Sequence, residues 1–370
     1  MKGNKSMKAV FNQTELVSAV TTVQRAVSTK SSNPSLEGIL IKAHGSTAVL
    51  CGYDLDIGIT TEIAATVVEE GDIVLSARLF SEIVKRMPDE IITLETDDKL
   101  LAYVNSGVAD YQIIGISSYE YPELPSFDTL QTFSIEAGVL KTMIRDTFYA
   151  ISDNPAKPAL MGSLFDVDGG YLNLVSIDGF RMSVRREKID TDKKFEFILP
   201  KKTLGELLKI TCDDESPVTV VVGKKHAVFK IEGYSVVSRL IEGKYVSYKD
   251  TIPKGSATTL TVETRKIISS VERMSLLTSD KMQQPVHLIV ADEGIKIFCT
   301  TAVGKASDYI NLDFDGEEIE IGFNNRYMLD AVKNVDADEL IFEFNGPNRP
   351  LKILPVNGDS FLILVVPMRI

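Results

Sequence analysis

Few side chains in this 370-residue chain stand at spacings that do chemistry. Asp54 and Asp56, in GYDLDIG, would share one face of a strand because side chains alternate, and two carboxylates on one face can begin a Mg²⁺ or Ca²⁺ site. With Asp178 they define one reading, an acidic multi-domain cytosolic enzyme with a carboxylate site. That pair lacks further ligands nearby. His44, His226 and His287 stand apart from the cysteines and from one another, which suits surface or strand positions rather than metal ligation. Cys51, Cys212 and Cys299 are odd in number, far apart and outside metal-ligand spacing, so they read as small buried hydrophobes. The chain has no GxxxxGK[ST] loop, no GxGxxG after a strand, no HExxH and no GxSxG. The expectation is a non-enzymatic protein with no cofactor and no metal.

The other chemistry available is attraction of phosphate by lysine and arginine. Taking 14–30, 76–87, 136–152, 201–212, 262–278 and 324–336 as helices, fifteen basic residues face nine acidic ones, a net +6. The rest of the chain then carries −18, to reach the total of −12. That total, alone, argues against a nucleic-acid binder. The segregation argues the other way, because a basic helical face on an acidic body meets phosphates without reading bases. No zinc-finger spacing, basic region with heptads or RNP-type aromatic motif is present.

The elements that would position these residues repeat at a period of about 125 residues. Three segments each open with a short strand running into an amphipathic helix: FNQTELVSAVTTVQRAVS from Phe11, FSIEAGVLKTMIRDTFYAIS from Phe133 and LTVETRKIISSVERMSLLTS from Leu260. Thr14, Glu136 and Glu263 stand at the helix entrances, and apolar residues then recur at helical spacing. A second helix follows about 65 residues later in each, at LSARLFSEIVKRMP, LPKKTLGELLKITC and GFNNRYMLDAVKNVD. Alternating strand patterns with Gly and Asp turns fill the remainder. The expected fold is α+β, three similar domains of two helices and about eight antiparallel strands. Pro122 and Pro125 mark one join and Pro253 and Gly255 the next, giving domains 1–128, 129–255 and 256–370. Residues 1–6 precede a second methionine and the first strand pattern, and read as an extension, a tag remnant or an alternative start.

Hydrophobic residues at 44% and charged ones at 25% are globular values, and 370 residues suit two or three cores. No apolar run approaches the ~20 residues of a membrane span, and no charged-then-apolar leader is visible. A cytoplasmic location is the resulting expectation.

Two stretches carry a resemblance. SIDGFRMSV, Ser176 to Val184, looks like the T-D-G-H-R-L segment of the bacterial β sliding clamp family, and the terminal VVPMRI, Val365 to Ile370, is similar to that family's M-P-M-R-L ending. With the triple repeat, the chain resembles this family from Met7 onward. The resemblance implies a head-to-tail homodimer closing into a six-domain ring around duplex DNA, helices inside and sheets outside. It implies partners too: replicative DNA polymerase, clamp loader and repair proteins, bound through short peptides in a hydrophobic pocket between the second and third domains. Carried over by position, the pocket comprises Leu160, Ile177, Gly179, Phe180, Arg181, Met182, Val246, Val365, Val366, Pro367, Met368, Arg369 and Ile370. DNA contacts would be Lys30, Arg78, Asn154, Lys201 and Lys202. The ring interface would set Tyr111 and Ile113 against Leu276 and Leu277 of the partner. Phe180 stands where His is often found, Val246 where Pro is common, and Asp250 where a basic residue is frequent, which bears on peptide preference.

Overall fold

A computed structural model of the chain describes residues 6–125, 130–210, 212–278, 285–291 and 294–370. Among these lie seven α-helices: α1 Gln13–Val23, α2 Ala77–Lys85, α3 Ala137–Phe148, α4 Lys201–Leu207, the short α5 Tyr248–Thr251, α6 Thr264–Ser275 and α7 Asn325–Lys333. Every strand pairing among the described residues is antiparallel, as expected. Each repeat opens with a strand that runs into a helix, at Met7–Asn12, Gln131–Glu136 and Thr258–Glu263.

The helices are shorter than their periodic patterns. Thr14 lies inside α1; the residue that caps it is Asn12, whose side chain accepts from Glu15 N at 3.2 Å. The far end stops at Val23, continues as a 3₁₀ turn over Gln24–Ala26, and leaves Val27 extended. Gly52 underlies that end: a Cβ there would lie 2.0 Å from Val23 O, so only glycine lets the strand pass so close. Arg25, Lys30, Arg86 and Lys209 therefore fall outside the six longer helices. On those helices as folded, eleven basic residues face six acidic ones, a net +5, and the remainder carries −17. The sign of the segregation survives the shortening.

The chain condenses into two compact units, one of Met1–Gly138 with Gly205–Leu240, the other of Val139–Leu204 with Ile241–Ile370. The first unit holds a five-stranded sheet with Ala109–Ile114 at one edge, and an eight-stranded sheet. The eight-stranded sheet is made continuous where Tyr234–Arg239 pairs with Ile57–Ala64, so strands of the first and second repeats share one ladder. The second unit holds a nine-stranded sheet, continuous across the pairing of Arg181–Lys188 with Phe361–Val365, and a four-stranded sheet with Gly304–Asn311 at one edge. Joining repeats edge to edge satisfies backbone groups that would otherwise be exposed.

Helices α1 and α2 pack together in the first unit, and α6 and α7 in the second, each burying one stripe. In α6 that stripe is Ile267, Ser270, Val271 and Met274, spaced three and four apart, while Arg265, Lys266, Glu272 and Arg273 stay exposed. No helix of the described residues is long and apolar enough to cross a membrane.

Candidate functional site

The segment SIDGFRMSV folds as a strand end, a tight turn and a new strand. Asp178 Oδ1 accepts from Phe180 N at 2.8 Å and from Arg181 N at 3.0 Å, and Gly179 takes φ +99°, which favours glycine. Asp178 Oδ2 accepts from Arg181 Nε at 3.0 Å, so both oxygens are structural. Asp54 does the same at the matching place in the first repeat, accepting from Asp56 N at 3.0 Å and Ile57 N at 2.8 Å. Asp54 and Asp56 thus lie in a turn beyond the strand Thr47–Tyr53, which corrects the expectation that alternation puts them on one strand face. The aspartates are turn-formers, and the described residues contain no metal-binding group of three or more His, Cys, Asp or Glu.

Arg181 is the most constrained side chain of the region, 7% exposed. Its guanidinium donates to Asp178, to Asp330 Oδ2 of α7 at 2.6 Å and to Tyr149 O after α3 at 2.8 Å. It also lies 4.6 Å from the Tyr327 ring centroid and 5.1 Å from that of Tyr149. A buried guanidinium requires this many partners to offset its lost hydration. Phe180 points outward, 56% exposed, and stacks on Tyr327 with centroids 5.6 Å apart.

Beside this turn, Leu160, Ile177 and Met182 share one buried cluster with Leu164, Val175, Tyr245, Tyr248 and Leu364. Around it Phe180, Val246 (44%) and Val366 (38%) are exposed. The terminal tail continues from the strand Phe361–Val365: Val366 N donates to Phe180 O at 2.8 Å and Met368 N to Gly322 O at 2.8 Å. Pro367 and Met368 are half-buried and Arg369 exposed; Ile370 is 60% exposed, its Cγ2 only 2.9 Å from where a Cβ on Gly322 would stand. Val365 departs from the expected lining. It is fully buried and paired with Arg181 and Leu351, because the core strand runs one residue further than Leu364.

Sequence reasoning missed Tyr245, Tyr248, Tyr327 and Asp330 in this region. The repeat held a signal for Tyr245, since Tyr121 stands at the matching place after the first repeat. Tyr327 and Asp330 carried none, because only the fold brings α7 to the turn.

The basic residues are less open than their number suggests. Arg78 and Lys202 are exposed on α2 and α4, and Lys30 is exposed in a loop. Lys201 is half-buried, 2.6 Å from Asp153 Oδ1 and over the Phe148 ring. Asn154 is exposed, but its Oδ1 accepts from Ala156 N within its own turn. Of the expected interface residues, Tyr111 (43%) and Leu276 (83%) are exposed, whereas Ile113 (8%) is buried and Leu277 packs on the third-repeat core. On the face of the edge strand opposite Tyr111, Ile114, 83% exposed, offers further apolar surface. Asp146, a buried residue of α3 facing Arg185, has its carboxyl pushed up to about 6 by burial, only partly offset by Arg185 and Arg145.

Three family descriptions match the chain in succession: the N-terminal domain of the DNA polymerase III beta subunit over residues 7–125, the central domain over 134–247 and the C-terminal domain over 249–369. The beta sliding clamp of Bacillus subtilis is 32% identical over 376 residues, spanning 98% of this chain and all of the relative. That of Halalkalibacterium halodurans is 32% identical over 378 residues with the same coverage. The solved DNA polymerase sliding clamp from Bacillus subtilis superposes with a TM-score of 0.96 at 32% identity, covering 99% of this chain and 100% of that one. The beta subunit from the DNA polymerase of Streptococcus pyogenes gives 0.94 at 25% identity, covering 98% and 100%. The chain belongs to the DNA polymerase III beta-subunit family, the beta sliding clamps, and is built from three clamp domains of α+β fold.

Proposed function

We propose that this chain is a DNA sliding clamp and processivity factor, a non-catalytic subunit that encircles duplex DNA and tethers the replicative polymerase, the clamp loader and repair proteins to it. The observation that carries this reading is the succession of three clamp-domain matches along essentially the whole chain. The net +5 on the helices against −17 elsewhere supports it, since a ring needs only diffuse, sequence-independent attraction inside and repulsion of DNA outside. Retention is then topological. A ring loaded on circular DNA, with loader and ATP, stays on it and leaves when the circle is cut; equal retention on both forms refutes the reading.

Ring closure would join the edge strand Ala109–Ile114 of one protomer to the edge strand Gly304–Asn311 of its partner, with Tyr111 and Ile113 set against Leu276 and Leu277 and Ile114 adding exposed apolar surface. Scattering tests this: two compact copies have a radius of gyration of roughly 27 Å, and a hollow ring lies well above it. Partner peptides would bind over the cluster of Leu160, Ile177 and Met182, between Phe180, Val246 and the tail Val366–Ile370. An apolar floor with a few fixed polar groups and an exposed rim suits a short hydrophobic peptide. DNA contacts would fall on Lys30, Arg78, Asn154, Lys201 and Lys202. We place the domains at 1–128, 129–255 and 256–370 and the protein in the cytoplasm, where replication partners act. No observation favours the alternative enzyme, whose Asp54 and Asp178 carboxylates are committed to backbone N–H groups.

A further inference from the structure

We propose that the first domain carries a second peptide-docking site, which takes one aromatic side chain with a basic neighbour from a partner protein. The proposal rests in part on the reading of the second-domain site above, because the two places are structural repeats. A 3₁₀ turn, Pro34–Glu37 or Pro158–Met161, leads into the first strand of each sheet and buries Leu36 or Leu160. Leu40 then faces Cys51 across the ladder as Leu164 faces Val175. Tyr121 Oη donates to Cys51 O at 3.2 Å, and Tyr245 Oη donates to Val175 O at 3.2 Å. The same floor, turn and anchoring tyrosine occur twice.

The difference lies three residues beyond each tyrosine. In the second domain Tyr248 lies over the sheet and donates to Asp166 Oδ2 at 2.7 Å, closing that part of the surface. Its counterpart Leu124 has no such reach; its Cδ2 lies instead against Gly58, 2.6 Å from where a Cβ there would stand. A cavity of about 570 Å³ remains between the segment Ser118–Leu124 and the sheet, with Leu40, Val49 and Cys51 among its walls. The first domain thus leaves open a space that the second fills with its own aromatic ring. At the rim stand Lys42, Asp72 and Glu123, two carboxylates to one ammonium. An aromatic ring buries most apolar surface for its size, and a lysine or arginine beside it complements the carboxylates, while Lys42 can donate to a peptide carbonyl. This chemistry selects a basic aromatic peptide over an acidic one.

The test uses the full chain with labelled leucine and valine methyl groups and blocked pentapeptides. Gly-Lys-Phe-Lys-Gly is expected to shift the methyl signals of Leu40, Val49 and Leu124, and to bind at least fivefold more tightly than Gly-Glu-Phe-Glu-Gly or Gly-Lys-Ala-Lys-Gly. Leu124→Tyr, which copies Tyr248, is expected to abolish the shifts; if that variant misfolds, Glu123→Lys is expected to weaken binding about fivefold. Deleting Met368–Ile370 is expected to leave these shifts unchanged, so failure here and failure of the second-domain site are separately visible. Absence of shifts at the three residues, equal binding of the acidic peptide, or loss on tail deletion overturns the proposal.

Discussion

Replacing Arg181 with alanine should loosen the turn that carries Phe180 and, with it, the junction of α7 to the second-domain sheet. The side chain is 7% exposed and makes three charge-assisted or carbonyl hydrogen bonds, so truncation strands the carboxylates of Asp178 and Asp330 and the carbonyl of Tyr149 together. Breaking a buried ion pair costs about 3–5 kcal/mol, and the lower end applies because Asp330 is 31% exposed and water re-solvates it. About 3 kcal/mol is somewhat over a hundredfold in an opening equilibrium. Global unfolding of a multi-domain chain is a poor gauge of such a change, so the assay is amide hydrogen exchange in Asp178–Arg181, Asn325–Lys333 and, as a distant control, Ala77–Lys85. Protection should fall a hundredfold in the first two and hold in the control. Arg181→Lys keeps the charge but not the fork, and should recover less than half of the loss. A cycle pairing Arg181→Ala with Asp330→Ala should show a coupling of about 1–2 kcal/mol. Wild-type protection in Arg181→Ala, or additive effects in the cycle, refutes the idea that this guanidinium holds the region together.

Three further outcomes follow from the same geometry. Deleting Met368–Ile370 removes the Met368 bond to Gly322 and the Ile370 contact; calorimetry should show partner-peptide binding lost while sedimentation shows the dimer intact, and unchanged affinity would mean the site lies elsewhere. The raised carboxyl of Asp146 means that the native state holds its proton more tightly than the unfolded chain does. Stability therefore falls as pH rises from about 4 to about 6 and then levels. Asp146→Asn should accordingly be about 2 kcal/mol more stable than the parent at pH 7, a gap that closes by pH 4; amide hydrogen exchange in Ala137–Phe148 at both pH values checks it, and lower protection in the variant at pH 7 contradicts it. Leu276→Asp places a charge on a residue 83% exposed in the protomer, so it should leave the melting temperature of the monomer unchanged while sedimentation shows the ring dissociated; a persistent dimer rules this residue out of the interface.

Periodicity made much of the fold legible. Apolar spacing of three and four located all six longer helices, because one buried stripe per helix is what a helix needs in order to pack. Their ends were less legible: the α1 pattern runs on past Val23, but the helix stops where it meets Gly52, a constraint that comes from another strand. The helix-borne positive charge is likewise a property of the sequence, and its excess shrank by only one when the boundaries moved.

The site divided along the same line. A local pattern sufficed for the turn, since Asp-Gly at 178 and 179 supplies an acceptor for the next N–H groups and a residue at ease with φ +99°. That Asp54 is also a turn-former and not a strand-face ligand depended on where the strand stopped, at Tyr53, three residues short of the Asp56 that alternation required it to include. Ile113 and Ile114 show the same limit: both are apolar neighbours in an edge strand, and only the sheet's packing decides that Ile113 is buried and Ile114 exposed. The sequence by itself determined the repeats, the helix stripes, the charge segregation and the Asp-Gly turn, because each depends on residues within a few positions of one another. Only the tertiary structure decided that Arg181 meets Asp330 and Tyr327, that Val365 belongs to the core and that Leu124 leaves a space which Tyr248 fills in the next repeat. Those outcomes are set by which distant segments share a ladder or a packed face, and side-chain reach across such a contact is not written in local spacing.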